Sequence, residues 1–236
     1  MIRIVNGEIG YNKTLLSVDH LEVEVGTLIA LIGKNGSGKS TFLKSICGML
    51  PTLGGSFLIN DQLLTELKPH RLSKLVSFAG STQEAIPYIT VNEYVLLGRS
   101  PYTGLSGRYN YNDYAASKKA IELFHLTHLQ DRELSRLSDG ERQQASFARA
   151  FCQDTPLVLM DEPTAFLDYG NKRTLIKLLK EATRKESKCV IFSTHDIDLC
   201  IEENIRIMGI QPTNGQIEVF NHPAQREELI EQIFSD

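Results

Sequence analysis

Residues Gly33 to Thr41 have the types and spacing of a phosphate-binding loop, Gly-Lys-Asn-Gly-Ser-Gly-Lys-Ser-Thr. The loop follows an apolar run at 28–32, which predicts a buried strand, and it precedes a segment with helical apolar spacing. Strand, glycine loop and helix together form the context that this motif requires. The glycines let backbone N–H groups curl around a phosphate, and the helix start adds the positive end of a dipole.

The side chains of this loop predict how a triphosphate would be held. Lys39 would reach the β- and γ-phosphates, Ser40 would place its hydroxyl on Mg²⁺, and Thr41 would lie beside the α-phosphate. The rest of the predicted nucleotide-binding set consists of Gly33, Asn35, Gly36, Ser37 and Gly38. An ordinary glycine turn that caps a helix is the alternative, but such a turn does not need Lys-Ser-Thr behind its glycines. We therefore expect the chain to bind a nucleoside triphosphate.

A second candidate site follows the apolar run Leu157–Met160, which is typical of a strand buried on both faces. Asp161 and Glu162 come directly after it, at the edge of a parallel sheet where ligands collect. Asp161 could hold Mg²⁺ opposite Ser40, and Glu162 could orient and polarise an attacking water. A merely polar strand end is the alternative interpretation.

A third motif, residues 137–141, reads Leu-Ser-Asp-Gly-Glu. Ser138 and Glu141 have the spacing of a capping box, which starts a helix and needs no ligand. The motif nevertheless lies between the two phosphate motifs and shortly before Asp161.

In this order, the motifs make almost the whole chain resemble the ATP-binding subunits of ABC transporters. The loop at 33–41 resembles Walker A, residues 157–162 resemble Walker B, and residues 137–141 resemble the signature Leu-Ser-Gly-Gly-Gln. The resemblance implies that Ser138 and Gly140 contact the γ-phosphate bound by a second subunit. The cofactors that it implies are ATP and Mg²⁺.

Three further residues match the family's pattern, and each also has a simpler structural interpretation. Tyr11 resembles the aromatic residue that stacks on adenine, and the alternative is a core or turn tyrosine. Asp168, in a segment that matches the D-loop, would cross the dimer interface, and it is also a natural helix N-cap. His195 matches the switch histidine, which bonds the γ-phosphate and helps to fix the attacking water, whereas a lone histidine is usually structural.

The chain departs from the family's pattern in two places. Asp139 and Glu141 replace a glycine and a glutamine of the signature, and a carboxylate near the partner's γ-phosphate is costly unless it turns away. The second departure is in the loop after the strand at 75–79, which the family calls the Q-loop. Ser81 stands at the position expected for its glutamine. We predict that Gln83 serves as the Mg²⁺ and water sensor.

The predicted fold is α/β, a single domain over residues 1–236. A P-loop NTPase core of a mixed sheet with flanking helices would occupy 1–81 and 151–236, with an N-terminal antiparallel β part, and 82–150 would form an inserted helical subdomain. Predicted strands lie at 2–9, 21–25, 28–32, 56–59, 75–79, 157–160, 189–193 and 205–210. Predicted helices lie at 42–47, 91–98, 112–124, 171–185 and from 141 toward Cys152. Pro51 is expected to end the first helix, Gly54-Gly55 to form a turn, and 99–108 to form a loop.

Composition narrows the class of protein. A net charge of −4 without a basic block disfavours nucleic-acid binding. The sequence contains no stretch of about 18 apolar residues, the length that a membrane span needs. The N-terminus does not resemble a signal peptide. The four cysteines form no CxxC pair and fit small buried residues in a reducing cytosol.

The segments 90–95 and 97–102 resemble those of ATPases that serve importers of iron chelates, haem or cobalamin. A fused exporter half would need membrane spans, and sugar-importer ATPases carry a longer extension after the switch histidine. The resemblance implies a homodimer of nucleotide-binding subunits, polytopic permease subunits that dock a helix beside the Q-loop, and an extracytoplasmic substrate-binding protein. It places the chain in the cytoplasm, peripheral on the inner face of the membrane. The alternatives are a soluble ABC-type ATPase, for example of iron–sulfur assembly, a nucleotide-gated binding module, or a P-loop kinase.

Overall fold

The computed structural model describes residues 1–81, 85–104, 107–165, 167–220 and 226–234. In chain order its strands and α-helices are β1 (Ile2–Gly10), β2 (Thr14–Val23), β3 (Leu28–Ile32), α1 (Lys39–Ile46), β4 (Thr52–Ile59), β5 (Gln62–Leu63), α2 (Pro69–Leu72), β6 (Val76–Ala79), α3 (Val91–Leu96), α4 (Tyr111–Leu123), α5 (Asp139–Cys152), β7 (Leu157–Met160), α6 (Tyr169–Lys185), β8 (Cys189–Thr194), α7 (Ile197–Glu202), β9 (Arg206–Ile210), β10 (Ile217–Phe220) and α8 (Arg226–Phe234). Short 3₁₀ turns lie at Leu64–Glu66, Leu97–Tyr102, Thr127–Leu129 and Leu134–Arg136.

The strands form two sheets. An antiparallel sheet has the order β2-β1-β4-β5, and a mixed sheet has the order β10-β9-β3-β8-β7-β6. Among the described strands of the mixed sheet, β10 alone pairs antiparallel, so the carboxyl ends of β3, β7 and β8 lie at one edge. The residues that follow these three ends are the phosphate loop, Asp161 and His195, which is why sequence-distant motifs meet there.

The core has two clusters, one on each face of the mixed sheet. Ile29 and Leu31 of β3 pack with α1 and the antiparallel sheet, whereas Ala30 and Ile32 pack with the cluster that includes α3 to α6. Successive strand side chains point to opposite faces, so a strand covered on both faces must be apolar throughout. The predicted α/β class, with a mixed sheet and an antiparallel N-terminal part, is confirmed. Helices α3 to α5 lie between β6 and β7 in the chain, and the subdomain boundary at 82–150 stays a prediction.

Two predicted turn signals were wrong. Helix α1 ends at Ile46 before Pro51 is reached, because Gly48 adopts a φ of +74° and its N–H donates to the Ser45 carbonyl at 3.1 Å. Gly54 and Gly55 lie inside β4, where the pairing with β1 is irregular. Gly55 has a φ of +80°, and a Cβ there would lie 2.0 Å from the Asn6 carbonyl oxygen, so the glycines serve a bulge.

The segment predicted as a loop at 99–108 begins with a buried arginine that forms an ion pair. Arg99 is only 8% exposed, and its Nε donates to Asp113 Oδ1 at 3.0 Å. Its Nη1 donates to the Cys152 carbonyl at 3.1 Å, and its guanidinium lies 4.0 Å from the centre of the Tyr102 ring. One side chain thus joins the 3₁₀ turn at 97–102 to the start of α4 and the end of α5.

The other strand and helix predictions agree with the structure within a few residues, except that β2 begins earlier, at Thr14. The sequence analysis did not predict β5, α2, α7, β10 or α8. In the described ranges, no helix combines the length and apolar character needed to cross a bilayer.

Candidate nucleotide-binding site

The phosphate loop connects β3 to α1, and its shape depends on its glycines. Gly36 and Gly38 have φ angles of +77° and +102°, a region that glycine enters at no steric cost. A Cβ on Gly33 would lie 2.5 Å from Ser37 Oγ, so that position also needs glycine. The Ser37 hydroxyl is buried and has no hydrogen-bond partner among the described residues, which fits a loop shaped to receive a ligand.

Lys39, the first residue of α1, points back into the loop. Its side chain is 7% exposed, and Nζ donates to the carbonyl oxygens of Gly33 at 2.9 Å and Lys34 at 3.3 Å. Burial lowers the pKa of Lys39, and the nearby Glu162 and Asp161 carboxylates oppose that shift. An ammonium group that is desolvated in this way interacts strongly with any anion that enters the loop.

Glu162 and His195 meet Lys39 at the edge of the sheet. Glu162 Oε1 lies 2.8 Å from His195 Nε2 and 3.6 Å from Lys39 Nζ, and the two nitrogens are 3.4 Å apart. Three side chains from separate motifs therefore converge on one point, where a carboxylate faces two groups that can donate to phosphate oxygens.

The backbone of Glu162 is held in an uncommon conformation. Its φ is +51°, in the left-handed region, and such strain persists only where the surroundings enforce it. Its N–H donates to Ser193 Oγ at 2.8 Å, and its carbonyl accepts from Gln143 Nε2 at 3.0 Å. Helix α5 and strand β8 together fix the direction in which this carboxylate points.

Asp161 is 3% exposed and lies deeper in the sheet. Ser193 Oγ donates to its Oδ1 at 2.7 Å, so one hydroxyl bonds both the Asp161 carboxylate and the Glu162 N–H. The sequence analysis missed Ser193. The feature that places Ser193 in the site is the parallel register of β7 and β8. Met160 pairs with Phe192, so the residues that follow them, Asp161 and Ser193, are neighbours.

A second network that the sequence analysis missed lies behind His195. The Asp196 carboxylate accepts from Thr164 Oγ1 at 2.7 Å and from Lys172 Nζ at 3.0 Å. Thr194 Oγ1 lies 3.1 Å from Thr164 Oγ1 and accepts from the Asp196 N–H at 3.1 Å. These contacts fix the end of β8 to the segment after Walker B and to the first turns of α6.

The signature motif begins α5 as the predicted capping box. The N–H and Oγ of Ser138 both donate to Glu141 Oε2 at 2.8 Å, and the Glu141 N–H donates back to Ser138 Oγ at 3.3 Å. These bonds lower the pKa of Glu141. Asp139 forms an ion pair with Arg142, three residues later on the same helix.

The start of α5 and the start of α6 border a common cavity of about 480 Å³. Asp168 caps α6 as predicted and accepts from the Asn171 N–H at 2.9 Å. Among the described residues, a Cβ at Gly140 would meet Leu167 Cδ2 alone, at 3.8 Å, so the signature glycine has room beside it. The residues that line the cavity are Ser138, Asp139, Gly140, Glu141, Gln144, Leu167, Asp168 and Asn171. Lys39, Glu162 and His195 are not among these residues.

Two predicted site residues stand apart from these clusters. Tyr11 lies in the turn between β1 and β2 and is 62% exposed, which leaves its ring free to stack on a ligand. Gln83, the predicted Mg²⁺ and water sensor, lies outside the described residues.

The donors near the phosphate loop fit Mg²⁺ rather than a metal ion that is coordinated by protein side chains alone. The Asp161 carboxylate and the Ser40 hydroxyl offer oxygen ligands, which Mg²⁺ prefers. Within the ranges that the structure describes, no group of three His, Cys, Asp or Glu side chains could hold a metal ion. Mg²⁺ usually takes one or two protein oxygens and completes its shell with phosphate and water, so the donor set is compatible with it.

Comparison with known proteins agrees with this geometry. Residues 16–165 match the sequence profile of the family described as ABC transporter. The achromobactin transport ATP-binding protein CbrD of Dickeya dadantii is 33% identical over 193 residues, which cover 81% of this chain and 71% of the relative. The ferric enterobactin transport ATP-binding protein FepC of Escherichia coli is 29% identical over 230 residues, covering 96% of this chain and 84% of that protein.

A solved structure shares the fold. The dimeric structure of MJ0796, a bacterial ABC transporter cassette, matches with a TM-score of 0.79 and 25% identity. The match covers 92% of this chain and 97% of that one. From these matches and the motifs assembled at the sheet edge, the chain belongs to the ABC transporter family as its ATP-binding, ATP-hydrolysing cassette.

Proposed function

We propose that the point where Lys39, Glu162 and His195 meet is the catalytic centre for hydrolysis of Mg-ATP. The observation that carries this proposal is their mutual approach, with Glu162 Oε1 at 2.8 Å from His195 Nε2 and 3.6 Å from Lys39 Nζ. A base for water and two donors for the γ-phosphate are thereby placed together.

Each residue has a stated task. The amides of the loop at 33–41 and the ammonium of Lys39 bind the phosphates, and Tyr11 stacks on the adenine. Once phosphate oxygens engage Lys39 and His195, Glu162 is released from its contacts with both side chains and can accept a proton from the attacking water. Ser40, Asp161 and Gln83 are the residues that would hold Mg²⁺. When bound, the ion would neutralise part of the charge on the phosphates.

The cavity at the start of α5 completes the site of another copy. Ser138 and Gly140 present a helix start that can bind a γ-phosphate, and Asp168 borders the same cavity. Because Lys39, Glu162 and His195 do not line this cavity, we assign the cavity and the Lys39 centre to complementary halves of one site, contributed by different copies across a dimer interface. Two copies would then enclose two ATP molecules.

We further propose that this cassette powers import of an iron chelate. The relatives CbrD and FepC are named for transport of achromobactin and of ferric enterobactin, and the hydroxamate importer subunit FhuC of Bacillus subtilis is 30% identical over 191 residues. Haem and cobalamin remain candidate cargoes. In this role the chain lies peripherally on the cytoplasmic face of the membrane, beneath permease subunits that receive cargo from an extracytoplasmic substrate-binding protein.

A groove on the surface supports docking of a permease helix. It has a volume of about 540 Å³ and lies between the turn after α1, the segment before β6 and the end of α5. Met49 at its rim is 61% exposed, an apolar side chain suited to an apolar helix face. Gln153 donates to the carbonyls of Ser73 and Val76, so α5 is attached to the groove that a permease would occupy.

The substitution Glu162→Gln tests the catalytic proposal. It keeps the size of the side chain and removes the base, so we expect ATP binding to persist while the hydrolysis rate falls at least 100-fold. The matched control is Glu122→Gln, which changes an exposed glutamate of α4. Undiminished hydrolysis by Glu162→Gln would remove Glu162 from the mechanism.

The transport proposal needs its own test. The chain is purified with its co-expressed permease, reconstituted in vesicles, and assayed for ATP-driven uptake of radiolabelled ferric siderophore. Uptake that disappears with Glu162→Gln supports import. Recovery of a soluble partner alone, with no polytopic protein, favours the soluble ATPase.

A further inference from the structure

The signature turn carries two carboxylates, Asp139 and Glu141, in the first turn of a helix whose start is proposed to face a triphosphate. Each has a defined partner in this chain. Glu141 accepts from the N–H and hydroxyl of Ser138, so its charge is turned back onto the helix cap. Asp139 is different, because its side chain is 73% exposed beside the cavity at the start of α5.

Arg142 compensates the exposed carboxylate. One guanidinium nitrogen pairs with Asp139 Oδ1, and another donates to the carbonyl of Leu137. The Arg142 side chain is only 15% exposed, so its charge is fixed against the helix and cannot swing freely into solvent. The rigid cation therefore sits where a phosphate at the helix start would otherwise meet an unpaired anion.

We propose that Arg142 is a positioning residue that makes the Asp139-containing signature compatible with the γ-phosphate of a second copy. It holds the Asp139 carboxylate aside and cancels its charge as the two protomers close on ATP. This inference rests on the proposed dimer. It adds that Arg142 and Asp139 act as a pair when that dimer forms.

The pairing makes a prediction that a purely structural arginine would not. If Arg142 only anchored the Leu137 carbonyl, its removal would be harmful whatever stands at position 139. If it compensates Asp139, removal of the carboxylate must repair the loss of the cation. The interaction between charges at the surface is also screened, so the defect must shrink as salt rises.

The experiment uses the Glu162→Gln chain, and it measures ATP-dependent dimerisation by sedimentation. The added variants are Arg142→Met, Asp139→Gly and the two combined. We expect Arg142→Met to raise the dimer dissociation constant at least tenfold, equivalent to about 1.4 kcal/mol, and the added Asp139→Gly to restore it to within about twofold. ATP affinity of the monomer should stay within twofold throughout. Lys118→Met, which breaks an exposed i,i+4 pair on α4, is the matched control and should change nothing.

The outcomes separate the two proposals. If Glu162→Gln alone stays monomeric with Mg-ATP, the dimer itself is wrong. If it dimerises but Arg142→Met has no effect, or Asp139→Gly gives no rescue while both variants melt within a few degrees of the parent, the role of Arg142 is overturned.

Discussion

Replacing Ser193 with alanine tests how the two carboxylates after β7 are held. Ser193 is fully buried, and its hydroxyl accepts from the Glu162 N–H at 2.8 Å and donates to Asp161 Oδ1 at 2.7 Å. The substitution leaves the partly buried Glu162 amide and the buried Asp161 carboxylate without this partner. An unsatisfied buried amide costs about 1–3 kcal/mol, and a hydrogen bond to a charged group contributes about 1.5–3 kcal/mol.

These values predict that Ser193→Ala lowers the free energy of unfolding by about 2.5–6 kcal/mol. With a denaturant slope of about 3 kcal/mol/M, the urea midpoint would fall by about 0.8–2 M. Turnover should also fall, because Glu162 loses the bond that enforces its left-handed backbone conformation.

Ser146→Ala is the matched control, since Ser146 is also buried on the fold's interior but has no hydrogen-bond partner among the described residues. Its hydroxyl contributes no bond, so its removal should cost less than about 1 kcal/mol. Equal midpoints for the two variants would refute the reasoning that Ser193 connects the carboxylates.

Three further predictions follow from particular contacts. Arg99→Met leaves the 1%-exposed Asp113 carboxylate without its ion-pair partner, so the free energy of unfolding in urea should fall by about 3–5 kcal/mol. A loss below about 1 kcal/mol would contradict a stabilising role for this ion pair. Lys172→Met and Asp196→Asn should each slow ATP hydrolysis, and their double-mutant cycle should show a coupling of about 0.5–3 kcal/mol, whereas additive effects would mean independent roles. Burial lowers the pKa of Lys39, so between that pKa and 10.5 the unfolded chain binds more protons than the folded chain. The thermal stability of the parent relative to Lys39→Met should therefore rise with pH in the alkaline range. A difference that stays constant with pH would contradict the lowered pKa of Lys39.

The sequence predicts those features that a short segment determines. The phosphate loop needs its glycines and Lys39 within a few residues, and the capping box of Ser138 and Glu141 spans one helical turn. The continuous apolar runs marked β3, β7 and β8 because strands covered on both faces have no polar side.

Features that depend on distant segments escaped prediction. Ser193 acquires its role only when the register of β7 and β8 places it beside Asp161. Gly55 looks like a turn glycine until β4 pairs with β1 and the backbone at Asn6 closes over it. Arg99 looked like part of an exposed loop, because the sequence does not show that Asp113 lies across from it.

A mixing experiment tests most directly whether one chain completes the site of another. Lys39→Met disables the phosphate loop, and Gly140→Asp places a carboxylate in the cavity at the start of α5, where the monomer has room for it. Each variant alone forms no intact composite site, but a mixed dimer holds one, made from Lys39 of one chain and Gly140 of the other. We predict that ATP hydrolysis is near background for either variant alone and returns on mixing to a substantial fraction of the parent rate. Hydrolysis that stays at background after mixing, in samples where exchange into mixed dimers is verified, would contradict the composite site.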